Sequence, residues 1–418
     1  MKKLVLFCLI PFFVNSQVNK KISALFLGNS YTYVNNLPLL ISQLALANGD
    51  TLVYDGNTPG GYTLQNHFTD VTTNTKINAI AWKYVIIQAQ SQEPSFSPSQ
   101  DYNQTLPYAR KLDSLIKHNN NCTNTVFYET WGRKNGDAGN CGVYPPVCTY
   151  TGMQARLKQS YKKFADTCNA VMSPVGEAFS RSIALNPTLE LYQVDESHPS
   201  LEGSYLAACV FYEVLFQKSV LTNTFISTVN SSTAIFLQQV AHTVVNDSLA
   251  VWNLGKNLPW ADFDHNISGL NCQFVSFSPT LLNKWYFGDA AISTQTNPNH
   301  FYIAPGGTYT VCHVTQNACK KDSAIKTIII GSTGIYPNTK NRNVHIYPNP
   351  VKDDINIENA TEFETDRSFI EITNSAGQLI FKQNFSKTVS VKELKADIYN
   401  LKIYNLRKIT NLTFIKSE

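Results

Sequence analysis

The chain has 418 residues, of which 43% are hydrophobic and 15% charged, and its formal net charge is +4. That length predicts two or three domains with sizeable cores. So mild and evenly spread a charge excludes nucleic acid as a partner.

A basic Lys2-Lys3, an apolar Leu4 to Phe13 and a cleavage-like Val14-Asn15-Ser16 read as a secretory signal peptide over residues 1–16. The apolar run is too short to span a membrane, and no later stretch reaches spanning length, so a soluble exported protein is expected. Cys8 lies inside the apolar run rather than after it, which argues against a lipoprotein. Eight cysteines remain after the leader, an even number that suggests disulfides in an exported chain. Cys141–Cys148 would close a local loop. Cys122–Cys168 and a bridge among Cys272, Cys312 and Cys319 are further options, and Cys209 reads as a buried free thiol. The cysteine spacings lack the close pairs of zinc sites and no histidines cluster, so no metal and no other cofactor is expected.

From about residue 20 to 255, strand and helix patterns alternate. Ile22 to Leu27 is an apolar strand, followed by the turn Gly28-Asn29 and then Ser30. Leu37 to Asn48 has helical spacing, with Gly49 as its stop. Thr51 to Asp55 is a strand entering Asn57-Thr58-Pro59-Gly60-Gly61-Tyr62, and a helix starts at Thr63 to Phe68. Trp82 to Ala89 is apolar enough for a central strand covered on both faces, and Gln90-Ser91-Gln92-Glu93-Pro94 follows it. Tyr102 to His118 reads as a helix and Thr125 to Thr130 as a strand ending at Trp131-Gly132-Arg133. A Gly/Pro/Cys-containing insertion covers Lys134 to Tyr150. Thr151 to Cys168 is an amphipathic helix and Ala170 to Val175 a fifth strand. Asp195-Glu196-Ser197-His198-Pro199 precedes Ser200, an N-cap residue for the apolar helix Leu201 to Phe216. This alternation predicts a three-layer α/β/α sandwich around a parallel five-stranded sheet. Two small β-sandwich domains are expected after it, at 261–331 and 344–418, joined by a polar linker at 332–343.

Ser30 is placed at the carboxyl end of a strand, where open α/β sheets bind ligands. Asp195 and His198 are three apart in a loop, a spacing that lets the carboxylate hold one ring nitrogen while the other faces outward to take a serine proton. In this order the motifs resemble those of the SGNH hydrolases, the GDSL-type lipase and esterase superfamily, over about residues 20–255. Phe26-Leu27-Gly28-Asn29-Ser30 matches the first block, with Asn29 for the commoner Asp. Gly60-Gly61 matches the second block and Asp195-Glu196-Ser197-His198-Pro199 the fifth. The resemblance implies Ser30 as nucleophile, His198 as general base and acid, and Asp195 as its orienter. It also implies an oxyanion hole made by the N–H of Ser30, the N–H of Gly61 (or Gly60) and a third-block side chain. That block is Gly-x-Asn-Asp in the superfamily and Gln90-Ser91-Gln92-Glu93 here. Gln92 falls at the Asn position, with Gln90 and Gln88 as competitors.

Arg133 ends a strand on the same sheet edge and could bind an acidic or sugar substrate, or serve as a structural arginine. Glu93 and Glu129 could pair as glycosidase carboxylates. His67, six residues past the Gly-Gly turn, is either near the site or a core histidine.

Residues 261–331 resemble the immunoglobulin-like PKD domain through Trp285-Tyr286-Phe287-Gly288-Asp289, with Ala290 for the usual Gly, and Pro305-Gly306-Gly307-Thr308-Tyr309. Trp285 would be core and the domain a spacer. Residues 344–418 resemble the C-terminal sorting domain of the type IX secretion system, opening with Ile346-Tyr347-Pro348-Asn349-Pro350 and continuing through Ala376-Gly377 and Ile398-Tyr399, with Asp397 for the usual Gly. Export by that machinery across an outer membrane, then release or surface attachment, is implied. The functional expectation is a secreted serine esterase acting on acetyl or other short acyl esters, of small molecules or polysaccharide. The alternative is an idle hydrolase fold acting as a surface adhesin or glycan-binding protein.

Overall fold

The computed structural model describes residues 19–303, 306–331, 344–358, 360, 363, 368–374, 378–404 and 409–417. The expected leader, the linker 332–343 and the Ala376-Gly377 turn lie outside these. The chain forms two compact units, residues 1–331 and 332–418.

The first unit is built on five strands, β1 (Lys21–Leu27), β2 (Thr51–Asn57), β3 (Tyr84–Ile87), β4 (Asn124–Tyr128) and β5 (Val171–Ser173). They pair in the order β2-β1-β3-β4-β5, and every pairing is parallel. All four residues of β3 are buried, as a central strand covered on both faces requires. The helix Leu201–Phe216 supplies much of that cover. Its residues from Gly203 to Phe216 are all buried, and Phe211 meets Phe26 and Tyr128 edge-on at ring separations of 6.2 and 4.8 Å. It begins at Ser200, whose Oγ accepts the N–H of Gly203 at 3.1 Å. The helices Leu37–Ala47, Val175–Leu185 and Ser231–Asn246 pack with it. The chain leaves β1 toward β2 on one side and later returns to β3 on the other. The carboxyl end of β1 is therefore the switch point of the sheet, where a crevice opens.

Seven further strands make a sandwich, with sheet orders β10-β7-β6 and β12-β11-β8-β9. They are β6 (Phe263–Ser268), β7 (Asn271–Ser276), β8 (Leu282–Tyr286), β9 (Ile292–Ser293), β10 (Asn299–Phe301), β11 (Gly307–Gln316) and β12 (Lys321–Ile330). Trp285 is fully buried in its core and stacks on His313 at 3.9 Å. The β11–β12 hairpin is fastened to the amino-terminal edge of the parallel sheet. Cys319 is bonded to Cys122, just before β4, and Asp322 accepts the N–H of Ala261 and faces Lys20 at 3.7 Å. The buried Nζ of Lys320 lies 4.1 Å over the ring of Tyr84, and burial pushes its pKa down to about 6.

This bridge corrects the expected pairing of Cys122 with Cys168. Cys168 follows the helix Tyr150–Thr167 as its cap and is a buried free thiol, and no bridge joins Cys272 or Cys312 to Cys319. Cys141–Cys148 is bonded and Cys209 is a buried free thiol, both as expected. In the second unit, residues 344–418, two antiparallel sheets enclose Ile355, Ile357, Ile370, Ile372, Leu401 and Phe414.

The Cys122–Cys319 link closes a separation of 197 residues. A chain-entropy argument gives such a link about 2–5 kcal/mol. Replacing both cysteines by serine is expected to lower the denaturant midpoint of the first unit accordingly, as followed by Trp fluorescence.

Candidate functional site

The turn after β1 is over-determined by hydrogen bonds. Asn29 caps the single helical turn Ser30–Tyr33, its Oδ1 accepting the N–H of Tyr31 at 3.2 Å. Gln88, the first residue past β3, faces it with both ends of its amide. Its Oε1 accepts the N–H of Asn29 at 2.8 Å and the hydroxyl of Thr32 at 3.0 Å, and its Nε2 donates to Asn29 Oδ1 at 2.9 Å and to the carbonyl of Ala89. Gly28 is needed beside this pair, because a Cβ there would lie 2.5 Å from Thr32 Oγ1 and 2.7 Å from Gln88 Oε1. His67 is a core residue. Its Nε2 is 2.9 Å from the carbonyl of Gly28 and its Nδ1 2.9 Å from Thr73 Oγ1, and burial lowers its pKa.

Ser30 Oγ lies 2.8 Å from Nε2 of His198, and the other ring nitrogen, Nδ1, is bonded to Asp195 Oδ2. Asp195 Oδ1 also accepts the N–H groups of Ser197 and His198 at 3.2 and 3.0 Å. Burial presses upward on the Asp195 pKa, but the bonds from His198 and from these two N–H groups outweigh it and hold the carboxyl below its usual value. The loop is a tight turn with Glu196 at φ 60°, a left-handed conformation that a non-glycine residue adopts only when held. Here Lys134 N–H bonds the Glu196 carbonyl at 3.0 Å and Asn135 Nδ2 bonds its carboxylate at 2.8 Å. From beneath, Phe179, Trp131 and Tyr31 stack in sequence at 4.1 and 4.8 Å. Trp131 Nε1 donates to the carbonyl of Ser197 at 3.0 Å, and the Tyr31 hydroxyl meets Ser197 Oγ at 2.6 Å.

The Gly60-Gly61 turn adjoins Ser30, since Asn29 Nδ2 donates to the carbonyl of Tyr62 at 3.0 Å. Gly61 has φ +73°. Among the described residues, no acceptor receives the N–H of Ser30, Gly60 or Gly61.

Gln92 donates one N–H to Asp137 Oδ2 at 2.8 Å and keeps a second. Gln90 turns inward, its Oε1 accepting the N–H of Gln92 at 2.8 Å. Both amide hydrogens of Gln88 are used in the turn. Asp137 is 1% exposed and also accepts from Asn140 Nδ2 at 2.7 Å and Arg133 Nη1 at 3.4 Å. Burial raises its pKa, and the bonds from Gln92 and Asn140 with the charge of Arg133 more than reverse that.

Glu129 does not share a cleft with Glu93. It is fully buried and bonded to Gln154 Nε2 at 2.9 Å and to the N–H of Glu177, and burial, with Glu177 nearby, raises its pKa. Among the described residues no group of three or more His, Cys, Asp or Glu could hold a metal ion. Sequence reasoning missed Tyr31, Trp131 and Asp137 as supports. It weighed Gln88 only as an oxyanion donor, although an amide ending a wholly apolar strand marks a buried partner.

Residues 345–417 match the family described as the secretion system C-terminal sorting domain. That tail marks the chain for export to the outer membrane, with secretion or surface attachment. No curated protein matches the chain. Solved structures similar to it include a DUF4886 family protein from Bacteroides uniformis, 18% identical, covering 54% of this chain and 96% of that one with a TM-score of 0.48. A candidate SGNH hydrolase from Slackia heliotrinireducens is 26% identical over 47% of this chain and 99% of that one, with a TM-score of 0.40. A catalytic mutant of an acetylxylan esterase from Geobacillus stearothermophilus is 17% identical over 46% and 94%, with a TM-score of 0.32. Among the described residues no helix is long and apolar enough to cross a membrane.

Beside Gln92, burial and the neighbouring Asp101 push the Glu93 pKa up to about 7, and burial pushes Asp101 up to about 6. Carboxyls with raised pKa bind more protons folded than unfolded, so stability is highest below their ordinary range and falls as pH rises through it. The denaturant midpoint is expected to fall from about pH 4 to 7 on this linkage, and Glu93→Gln to remove the upper part of the fall.

Proposed function

We propose that the chain is a secreted serine esterase of the SGNH type that removes acetyl or other short acyl groups from carbohydrate through an acyl-enzyme. The observation that carries this reading is the line of contacts from Ser30 Oγ through His198 to Asp195 at the switch point of the sheet.

Nε2 of His198 takes the Ser30 proton as Oγ attacks the ester carbonyl. Asp195 fixes the Nδ1–H tautomer and stabilises the imidazolium. The oxyanion is received by the N–H of Ser30, the N–H of Gly61 and the second amide hydrogen of Gln92. The first two are without a protein acceptor among the described residues, and the third is aimed by the Asp137 carboxylate. His198 then returns the proton to the leaving alcohol, and water repeats the sequence on the acyl-enzyme. The carbohydrate preference rests on the company the site keeps: a sandwich of the PKD type as spacer and a tail for export to the cell surface.

The test is release of 4-nitrophenol from 4-nitrophenyl acetate, and of acetate from acetylated xylan. Ser30→Ala is expected to lose about 10⁴-fold or more in kcat, and Gln92→Ala about 10²- to 10³-fold, as for removal of one oxyanion donor. Equal rates for wild type and Ser30→Ala would leave the fold as a binding module without catalysis. Acetate release from 4-nitrophenyl acetate but not from xylan would keep the esterase and discard the carbohydrate.

A further inference from the structure

We propose that Arg133 receives a carboxylate on the substrate, so that the preferred esters belong to an acidic acyl group or to an acidic sugar. The inference rests on the esterase reading of Ser30 and names the substrate class of that site.

Arg133 stands between the two loops that bound the serine. On one side, Asp137 joins its guanidinium to Gln92. On the other, the next two residues, Lys134 and Asn135, are bonded to Glu196 in the turn that carries Asp195 and His198. Two residues earlier, Trp131 stacks on Tyr31, the neighbour of Ser30, and the charge of Arg133 reaches the Tyr31 phenol.

The guanidinium in this place is short of acceptors. It has five N–H donors. Among the described residues its single contact is Nη1 to Asp137 at 3.4 Å, long for a charge-assisted bond, and its Nε is buried with no partner among them. Asp137 takes up one of these donors: Gln92 and Asn140 hold its Oδ2, and Nη1 meets its Oδ1. The side chain is 30% exposed, so a ligand can reach it. A planar fork favours a carboxylate, taken by two parallel N–H bonds. The nearby Asp137 charge disfavours a dianion such as a phosphate monoester. Lys134 does not compete for the anion, being paired with Glu190.

The test uses the full chain and two pairs of substrates. The acyl arm compares mono-4-nitrophenyl adipate with 4-nitrophenyl hexanoate, and the alcohol arm compares an acetylated methyl glucuronide with the acetylated methyl glucoside. In one arm, wild type is expected to favour the anion in kcat/KM by about 10- to 100-fold, the worth of a charge-assisted pair. Arg133→Gln should abolish that ratio, chiefly through KM, and Arg133→Lys should keep part of it. The arm that responds says on which side of the ester the carboxylate lies. A ratio near one in both arms, or one that Arg133→Gln leaves standing, overturns the proposal while the esterase stands. If no ester is turned over, the esterase reading fails, and calorimetry with adipate and methyl glucuronide still decides. Binding lost in Arg133→Gln supports the carboxylate site, and binding that is absent or equal in the two proteins overturns it.

Discussion

The site depends on one buried pair of amides. Asn29 and Gln88 exchange hydrogen bonds in both directions where β1 and β3 part, and Thr32 adds a third bond to the same oxygen. A parallel sheet supplies ladder bonds only as far as the strands run. Past Gly28 and Gln88, whose N–H groups still bond the carbonyls of Asn57 and Leu27, the backbone must find other partners or lie wet. The amide pair continues the ladder with side chains and so carries strand-like rigidity into the nucleophile turn. On the proposed esterase reading, geometry of that quality matters because an oxyanion donor acts only when it is fixed before charge develops. The Ser30 N–H is directed by the same turn that directs its hydroxyl.

The histidine loop is held by different physics. Asp195 and His198 are 47% and 31% exposed, so neither burial nor a dry cavity fixes them. Their position comes from beneath, through the stack Phe179–Trp131–Tyr31 and its two polar tips on Ser197. Aromatic rings lose few rotamers on ordering, and Trp131 and Tyr31 each carry a polar handle that reaches Ser197. Serine and histidine come from segments 168 residues apart. They meet because Tyr31, beside Ser30, is also a layer of the platform under His198.

Much of this was legible in the chain. Ser30, Gly61, Asp195 and His198 stand at turns that special residues announce, and the parallel sheet follows from the alternation of strand and helix. The expected strand Trp82 to Ala89 is shorter in the structure, Tyr84–Ile87; the N–H of Gln88 still bonds the carbonyl of Leu27 at 2.8 Å while its side chain serves Asn29. The helix Val71–Ala79 was hidden by its threonines and asparagines, which have weak helical preference; Asp70 holds it by capping two of its N–H groups. The Cys122–Cys319 bridge could not be read, since pairing depends on where a distant hairpin docks. Asp137 was equally invisible. It acts through Gln92 and Arg133, and the insertion that carries it is closed by Cys141–Cys148.

The docking of the sandwich bears on what the site can admit. Its hairpin is fastened at the amino ends of the strands, through Cys122, Lys20 and Tyr84. Ser30 lies at the carboxyl ends, so the bridge and the packed Lys320 stiffen the sheet without approaching the reacting groups. A sandwich fixed on that edge leaves the loops after β1 to β4 free at the other end of the sheet. On the proposed reading the specificity of the site is written in those loops, where Arg133 is a cation short of acceptors among the described residues.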